Sequence, residues 1–219
     1  MNMVIMRSPQ PPEGLRERNK RDKRERLRNA AAELFESVGF EDTTTRAIAD
    51  HAGVASGTVF LYAQDKADLL FLVFHDELEV ALAKSIASAP KSRSLVVQLM
   101  HLFRGVFAVY GRHPRAAGPF LGALPASRGH NAIAMNSLTM VFIMRMADLV
   151  EAAKARGEVD AGVEALLAAQ NFFALYFFAL TTWVSGLSTL DNALQPTLHQ
   201  SILLQLRGLL PMPAKEKRR

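Results

Sequence analysis

Apolar residues near the N-terminus recur with the period of a helix. The residues on this face are Leu27, Ala30, Ala31, Leu34, Phe35 and Val38. Because the opposite face is mostly charged, we predict a first helix from about Asn19 to Val38 that packs one face inward. Gly39 is expected to end it in the left-handed conformation, so that Phe40 packs back on Phe35.

Two short helices are predicted next. Thr44 has the position and the side chain of an N-cap for a helix that Gly53 stops. A second short helix covers 56–62, and Asp65 is the N-cap of a long helix over about 66–87. The pattern therefore indicates a pair of short helices between two long ones.

The rest of the chain also has helical periodicity, and it contains no convincing alternating strand bounded by turn signals. His113-Pro114 and Gly157 mark breaks between helices. The further predicted helices are Ser94–Arg112, Pro114–Ala126, Asn131–Arg156, Ala161–Ser185 and Leu194–Leu210. With about nine helices in total, the predicted fold class is all-α.

The two short helices have the pattern of a helix-turn-helix. Gly53 supplies the positive φ that the sharp turn requires, and the small Ala49 side chain lets the two helices cross closely. With Val59 and Tyr62 facing inward, the second helix presents an outer face. The residues of that face are Ser56, Thr58, Phe60 and Leu61. An ordinary αα-hairpin is the alternative, but the basic preceding helix and Lys66 at the next helix start favour DNA binding.

Positive charge is concentrated at the two ends of the chain. The net charge is +5, with nine Lys and Arg against four Asp and Glu from position 7 to 28, and a surplus of three in the 215–219 tail. The stretch between them is slightly acidic. Such ends attract a polyanion, either nucleic acid or an anionic membrane surface, although solubilising charge on disordered ends gives the same pattern.

The 219 residues include no cysteine. This excludes a disulfide framework, a thiolate metal site, a cysteine nucleophile and CxxC redox chemistry, and it fits a reducing cytoplasm. The histidines have no metal-ligand spacing, and the glycines form neither a phosphate-binding loop nor a dinucleotide fingerprint. We therefore predict a cytoplasmic protein that is not an enzyme and has no catalytic residue, metal or cofactor.

Residues 24–69 resemble the N-terminal domain of the tetracycline-repressor (TetR) family of bacterial transcription regulators. The motifs that carry the resemblance are Ala31-Ala32-Glu33-Leu34-Phe35 with Gly39-Phe40, Thr43-Thr44-Thr45-Arg46-Ala47-Ile48-Ala49, Ala52-Gly53-Val54-Ala55-Ser56-Gly57-Thr58-Val59-Phe60, and Tyr62 with Lys66 and Leu69. The resemblance implies a homodimer that binds a palindromic operator in double-stranded DNA, acts as a repressor, and is released by a small-molecule effector.

The resemblance also divides the chain into four parts. Residues 1–18 are expected to form a disordered basic extension, and 19–66 a DNA-binding domain with its helix-turn-helix at about 44–63. Residues 67–210 are expected to form a helical ligand-binding and dimerisation domain, followed by a basic tail at 211–219.

Five residues are implied to contact phosphates. Thr44 and Thr45 start the second helix and are expected to donate to phosphate, while Arg46 reaches a phosphate or a groove edge. Tyr62 and Lys66 are expected to contact the backbone. Arg46 and Lys66 should therefore contribute affinity without base information.

The recognition helix is implied to read bases. Ser56 and Thr58 project from its first turn, and with Leu61 they are expected to set sequence choice. Phe60 stands where the family usually has tyrosine, which favours contact with a thymine methyl group. Ala55 replaces a frequent serine, so the helix lacks that cap unless Ser56 serves.

Aromatic and methionine residues recur at helical spacing in the C-terminal two-thirds. Such stripes belong to a core more often than to a pocket, but the resemblance favours a ligand pocket among the middle helices. The candidate pocket residues are Phe103, Phe107, Tyr110, Phe142, Met146, Phe173, Tyr176 and Phe177. A void of several hundred Å³ would favour an effector, which we expect to be largely apolar and neutral or cationic because few basic groups face inward.

One long uncharged stretch, 166–187, has the length of a membrane span. It contains several polar residues, and basic clusters do not flank it closely, so we predict no membrane partner. By resemblance, helices 161–185 and 194–210 form the homodimer interface. Two alternatives stay open: a membrane-anchored helical protein that uses 166–187, and a DNA-binding protein controlled by a protein partner without a small-molecule ligand.

Overall fold

The computed structural model describes residues 14–91 and 93–209. Every regular element within these residues is helical, so the predicted all-α fold is confirmed. The helices are α1 (Leu15–Ser37), α2 (Thr45–Ala52), α3 (Ser56–Val59), α4 (Lys66–Ala87), α5 (Leu95–Arg112), α6 (Pro114–Ala123), α7 (His130–Ala155), α8 (Ala165–Val184), α9 (Leu190–Asn192) and α10 (His199–Arg207). The predicted basic tail and most of the predicted N-terminal extension lie outside the described residues.

The first helix begins at Leu15 rather than at Asn19. Its first turn is mostly charged, and because apolar periodicity is the signal that locates a helix, that turn could not be detected. The other end agrees with the prediction: Gly39 has a φ of 105°, and the Phe35 and Phe40 rings pack with their centroids 5.4 Å apart.

The fold is organised around α4, which packs against α1, α5, α6 and α7. All residues from 69 to 74 are buried, so this part of the helix is enclosed on every side. The Phe74 ring stacks on Phe120 of α6 with the centroids 4.2 Å apart, and it lies 5.6 Å from the Tyr110 ring of α5. This aromatic cluster joins the N-terminal helices to the C-terminal ones.

The last predicted helix, 194–210, is wrong as a single element. Helical chain over Ala193–Leu198 is broken at Gln195, whose φ of −141° and ψ of 124° are extended, and α10 follows the break. Pro196 explains the interruption, because a proline disfavours the helical conformation of the residue before it.

In α6 and in α8, one helix end differs from the prediction by three or four residues. The helix predicted to end at Ala126 ends at Ala123, and the helix predicted to start at Ala161 starts at Ala165. At the second of these, the Glu164 carboxylate accepts hydrogen bonds from the first amides of α8 and replaces the missing helical partners.

Asp76 of α4 holds α1 in place. Its carboxylate accepts a hydrogen bond of 2.8 Å from Arg24 Nη2, and Arg28 Nη1 lies 3.3 Å away. Burial would raise the pKa of Asp76, but hydrogen bonds with His75 and Arg24 and the two guanidinium charges lower this pKa well below its usual value. The ion pair therefore stabilises the folded state at neutral pH.

The first testable prediction concerns this pair. Asp76→Asn should lower the free energy of unfolding by about 2 kcal/mol at pH 7, because two partly buried guanidinium groups lose their counter-charge. A carboxyl whose folded pKa is depressed contributes stability above its unfolded pKa of about 3.9 and loses it as the pH falls through the folded value. The difference between wild type and variant should therefore shrink between about pH 5 and pH 2 in urea denaturation.

Asp148→Asn is the matched control, since that carboxylate is 60% exposed and pairs with Arg145 across one helical turn. It should change stability by less than about 0.5 kcal/mol at any of these pH values. An Asp76→Asn deficit that stays constant with pH would contradict the assignment.

Candidate functional site

The short helices α2 and α3 lie as a helix-turn-helix on α1. The Thr44 hydroxyl accepts a hydrogen bond of 3.1 Å from the Ala47 amide, which caps α2 as predicted. Gly53 has a φ of 63° and makes the turn between the two helices. Ile48 and Ala49 are fully buried, so the inner face of the motif is held rigidly.

The outer face of α3 and of the turn after it is open to solvent. Phe60 and Leu61 are 59% and 74% exposed, Ser56 is exposed, and Thr58 is half-buried. Large apolar side chains at such exposure are available to a partner surface. Ala55 at the N-cap makes no side-chain hydrogen bond, as the sequence predicted.

The recognition helix is shorter than predicted: α3 ends at Val59, not at Tyr62. Tyr62 lies in the turn that follows and is only 7% exposed, because its ring packs in the core of the motif. Its hydroxyl donates a hydrogen bond of 3.2 Å to the carbonyl of Lys20. Tyr62 therefore fastens the end of the motif to α1, and a phosphate contact from it stays a prediction.

Lys66 also has partners within the chain. Its ammonium group donates hydrogen bonds of 2.7 Å and 2.9 Å to the carbonyl oxygens of Phe40 and Glu41, and it lies 4.4 Å from the centre of the Phe40 ring. These contacts join the start of α4 to the end of α1. A phosphate would have to compete with these two carbonyl oxygens for the ammonium group, and a phosphate contact from Lys66 stays a prediction.

The first turn of α2 carries the other predicted phosphate-binding residues. Thr44 and Arg46 are exposed, and Thr45 is half-buried. The Arg46 side chain is 84% exposed and approaches the Asp50 carboxylate only to 4.0 Å. An exposed ion pair of this length has little energy, so the guanidinium is available to a phosphate.

A groove lies between the basic face of α1 and the turn after α3 that contains Leu61 and Tyr62. Three cations of α1 line it together with one acidic residue, Glu17, and with Leu61 and Tyr62; the cations are Lys20, Arg21 and Arg24. The charge surplus found near the N-terminus is thus placed beside exposed residues of the helix-turn-helix. A surface of this composition attracts a phosphate backbone.

A small cavity lies between α4, α5, α6, α7 and α8, in the region where the sequence predicts a ligand pocket. Five of the predicted residues line it: Tyr110, Phe142, Phe173, Tyr176 and Phe177. Phe103, Phe107 and Met146 do not line it; all three are buried in the surrounding core. Sequence reasoning missed the lining residues Leu78, Leu82, Val106, Phe120, Leu121, Leu124, Met135, Leu138 and Thr139.

The missed residues have ordinary helical spacing, and no local signal separates them from core residues. Phe103 was predicted to line the pocket but belongs to the core. Its ring is fully buried and stacks on Tyr176 with the centroids 5.4 Å apart. Which rings line a cavity depends on where five helices diverge, and that is decided by packing.

A pair of tyrosines supplies polar groups in this apolar cavity. Tyr176 donates a hydrogen bond of 3.1 Å to the Tyr110 hydroxyl, and both residues are buried. Burial raises the pKa of Tyr110 to about 12, although the Tyr176 hydrogen bond lowers it in part. Both hydroxyls therefore stay neutral, and the cavity suits the apolar part of a ligand.

The cavity volume is about 50 Å³. Pockets that hold drug-sized ligands enclose roughly 300–1,000 Å³, so this cavity is smaller than the void of several hundred Å³ that would favour an effector. Occupation of the site requires its walls to separate or its aromatic rings to change rotamer.

Two C-terminal helices expose apolar side chains. Leu167 and Phe178 of α8 are 58% and 60% exposed, and Leu204 of α10 is 67% exposed. They belong to the two regions predicted to form a homodimer interface.

Two helices in the described part of the chain, α7 and α8, are long and apolar enough to cross a membrane by length and composition. Both pack against other helices here, and Phe172, Tyr176 and Leu180 of α8 are buried. The core of a helical protein accounts for such hydropathy equally well. Within the same residues, no group of three or more His, Asp or Glu is placed to hold a metal ion.

Residues 27–73 match the family described as bacterial regulatory proteins, tetR family. The chain is 25% identical over 173 residues to the fatty acid metabolism regulator protein of Bacillus subtilis (strain 168), covering 76% of this chain and 86% of that protein.

Solved structures share most of the fold. FadR of Thermus thermophilus, a TetR-family transcriptional repressor in complex with lauroyl-CoA, has a TM-score of 0.68 at 23% identity and covers 90% of this chain and 100% of its own. FadR of Bacillus subtilis in complex with stearoyl-CoA has a TM-score of 0.63 at 21% identity, covering 84% and 95%. The resemblance of the N-terminal segment to the TetR family is thereby confirmed, and the structural likeness shows that the fold extends through the C-terminal helices.

Proposed function

We propose that residues 27–73, which match the tetR family of bacterial regulatory proteins, form a DNA-binding domain. The protein is then a transcription repressor that binds a palindromic operator as a homodimer and is released by a long-chain acyl-CoA. The observation that carries the DNA-binding part is the rigid helix-turn-helix, which exposes Phe60 and Leu61 and places Leu61 beside the cations of α1. A cytoplasmic location follows from this function.

Residues that contact phosphates and residues that contact bases should respond differently to substitution. Arg46→Ala should weaken binding to all DNA sequences about equally and reduce the salt slope by about one unit for each phosphate that is no longer neutralised. Thr58→Ala should instead change the preferred half-site, at roughly 1–3 kcal/mol for each base that is no longer read. The measurement is selection from a randomised duplex pool, followed by titration at several salt concentrations.

Lys66→Ala is expected to behave differently from Arg46→Ala, because Lys66 also bonds two carbonyl oxygens within the chain. It should lower thermal stability as well as affinity. An Arg46→Ala variant that changed base preference while Thr58→Ala did not would contradict this docking.

The chemistry of the cavity supports an acyl chain as the buried part of the effector. Its walls are apolar and aromatic apart from two neutral tyrosines and Thr139. A long hydrocarbon chain gains free energy there by leaving water. The phosphates of coenzyme A differ from the neutral or cationic ligand expected from the sequence, and we propose that they remain at the surface, because buried charge without a partner is costly.

The third prediction tests the effector. Lauroyl-CoA should release the protein from its selected operator at micromolar concentration, whereas free coenzyme A at the same concentration should not, since it lacks the chain that enters the cavity. Tyr176→Trp should weaken the lauroyl-CoA effect about tenfold or more by filling the cavity. Fluorescence anisotropy of labelled operator measures both, and equal release by coenzyme A alone would contradict the proposal.

The small volume of the cavity favours one second candidate: a DNA-binding regulator whose core stays closed and whose release depends on a protein partner. Lauroyl-CoA distinguishes the two. If acyl-CoA of any chain length fails both to bind and to change operator affinity, the partner-controlled function is the better account.

The exposed apolar residues of α8 and α10 support the homodimer. Two copies that cover Leu167, Phe178 and Leu204 against each other would remove large side chains from water, as obligate interfaces do. Dimer formation doubles the motif, which a two-fold symmetric operator requires.

A further inference from the structure

A single buried carboxylate, Asp68, joins the helix-turn-helix to the wall of the cavity. Asp68 lies in the first turn of α4 and is only 1% exposed. Its carboxylate accepts hydrogen bonds of 3.1 Å from the amides of Asn131 and Ala132, which open α7. It also accepts a hydrogen bond of 3.0 Å from the amide of Gln64, in the turn that follows the recognition helix.

The first turn of α7 reaches the same turn directly. The Asn131 amide group donates to the carbonyl of Tyr62 at 2.8 Å and to the Asp68 carboxylate at 3.2 Å. His130 Nε2 lies 2.7 Å from the same Tyr62 carbonyl, and because a carbonyl oxygen only accepts, this nitrogen carries the proton. One hydrogen-bond network therefore holds the start of α7 and the end of residues 56–64, the recognition segment.

The same helix lines the cavity in its next turns. Met135, Leu138, Thr139 and Phe142 of α7 all face it. Since the cavity is only about 50 Å³, a ligand that enters must move its walls, and α7 contributes more lining residues than α5 or α8. A helix is rigid over the few turns that separate Thr139 from the start of α7. A ligand that displaces α7 at Thr139 therefore also displaces its first turn.

The Asp68 carboxylate makes a displacement of α7 costly in free energy unless the 62–64 turn moves with it. If the first turn of α7 withdrew alone, a buried carboxylate would lose three of its four hydrogen-bond donors. A buried charge left without partners is strongly unfavourable. The favourable response is a joint movement of α7 and the 62–64 turn.

We propose that Asp68, through Asn131 and His130, is the positioning residue that couples occupancy of the cavity to the conformation of the recognition segment. The inference rests on the proposed function for its biological meaning, but the coupling itself is a property of the fold. Asp68 itself is not proposed to contact the ligand or the DNA.

The test needs neither effector nor operator. Thr139→Phe places a larger side chain in the cavity and imitates occupancy, and amide hydrogen exchange of residues 56–64 reports the response. In the otherwise wild-type chain, Thr139→Phe should change these exchange rates about fivefold or more. In the Asp68→Asn background, which keeps the size of the side chain but removes its charge, the same substitution should change them less than about twofold.

Asp76→Asn is the matched control, because Asp76 is also an acidic residue of α4 with partners in α1 but has none in α7. The response to Thr139→Phe should persist in that background. An equal response in the wild-type and Asp68→Asn backgrounds overturns the proposal, and so does the absence of a response in both.

Thermal melts establish that each variant folds. If Asp68→Asn does not, Asn131→Ala takes its place, since it removes the amide bonds to both Tyr62 and Asp68. A parallel arm with lauroyl-CoA separates the two proposals. If lauroyl-CoA releases wild type and Asp68→Asn from the operator equally, the coupling proposal is wrong and the effector proposal stands. If the exchange response depends on Asp68 but lauroyl-CoA does not bind, the coupling proposal stands and the effector proposal is wrong.

Discussion

Phe74→Ala should lower the free energy of unfolding by about 3–5 kcal/mol, among the largest effects of any single substitution in this chain. Phe74 is fully buried, and its ring touches three others: Phe120, Tyr110 and His113. Truncation leaves a void at the point where α4, α5 and α6 meet, and the surrounding rigid helices cannot collapse into it. Because domains of this size are stable by only about 5–15 kcal/mol, much of the stability would be lost.

Urea denaturation followed by far-ultraviolet circular dichroism measures this loss. Val80→Ala provides the control on the same helix, since Val80 is 53% exposed, and it should change stability by less than about 0.5 kcal/mol. A Phe74→Ala variant as stable as Val80→Ala would show that the aromatic cluster does not hold the helices together.

Gly129→Ala is expected to have the second-largest effect, a loss of about 3 kcal/mol. The backbone of Gly129 is ordinary, with a φ of −63°, but a Cβ atom there would overlap the Asp68 carboxylate. The carboxylate would have to leave the amides of Asn131 and Ala132, which would then be buried without an acceptor. Thermal and urea melts measure the loss.

Two comparisons isolate the cause. Gly122→Ala in α6 has open space around the new methyl group, and it should be neutral or slightly stabilising, because alanine favours a helix more than glycine does. In an Asp68→Ala background the overlap is absent, so adding Gly129→Ala should cost less than about 1 kcal/mol. A full cost in that background would place the strain somewhere other than the carboxylate.

Several elements of the N-terminal domain could be derived from the sequence because their causes are local. The Thr44 cap, the positive φ of Gly53 and the cap at Asp65 depend on residues within three or four positions of one another. The bounds predicted for α4 agree with the structure for the same reason. The helix end that failed, at Tyr62, lies where the chain leaves α3 to pack on α1, and that contact is not local.

The partners of Lys66 illustrate what the pattern could not supply. From its position at a helix start, a phosphate was the expected partner, yet its ammonium bonds carbonyl oxygens 25 and 26 residues earlier in the chain. The pocket prediction had the same limit. The aromatic spacing of α5 and α8 could not separate Tyr110 and Tyr176, which line the cavity, from Phe103, which is buried in the core.

The sequence by itself determined the helical fold, the helix-turn-helix and its resemblance to the TetR family, since apolar periodicity, caps and turn glycines act over a few residues. Only the tertiary structure decided how the motif is connected to the rest. Asp68 is an ordinary acidic residue in the first turn of α4, and three of its four hydrogen-bond donors come from residues 63 and 64 positions away. A buried carboxylate is stable only where such donors converge, and convergence of distant segments is a property of packing that no local pattern encodes.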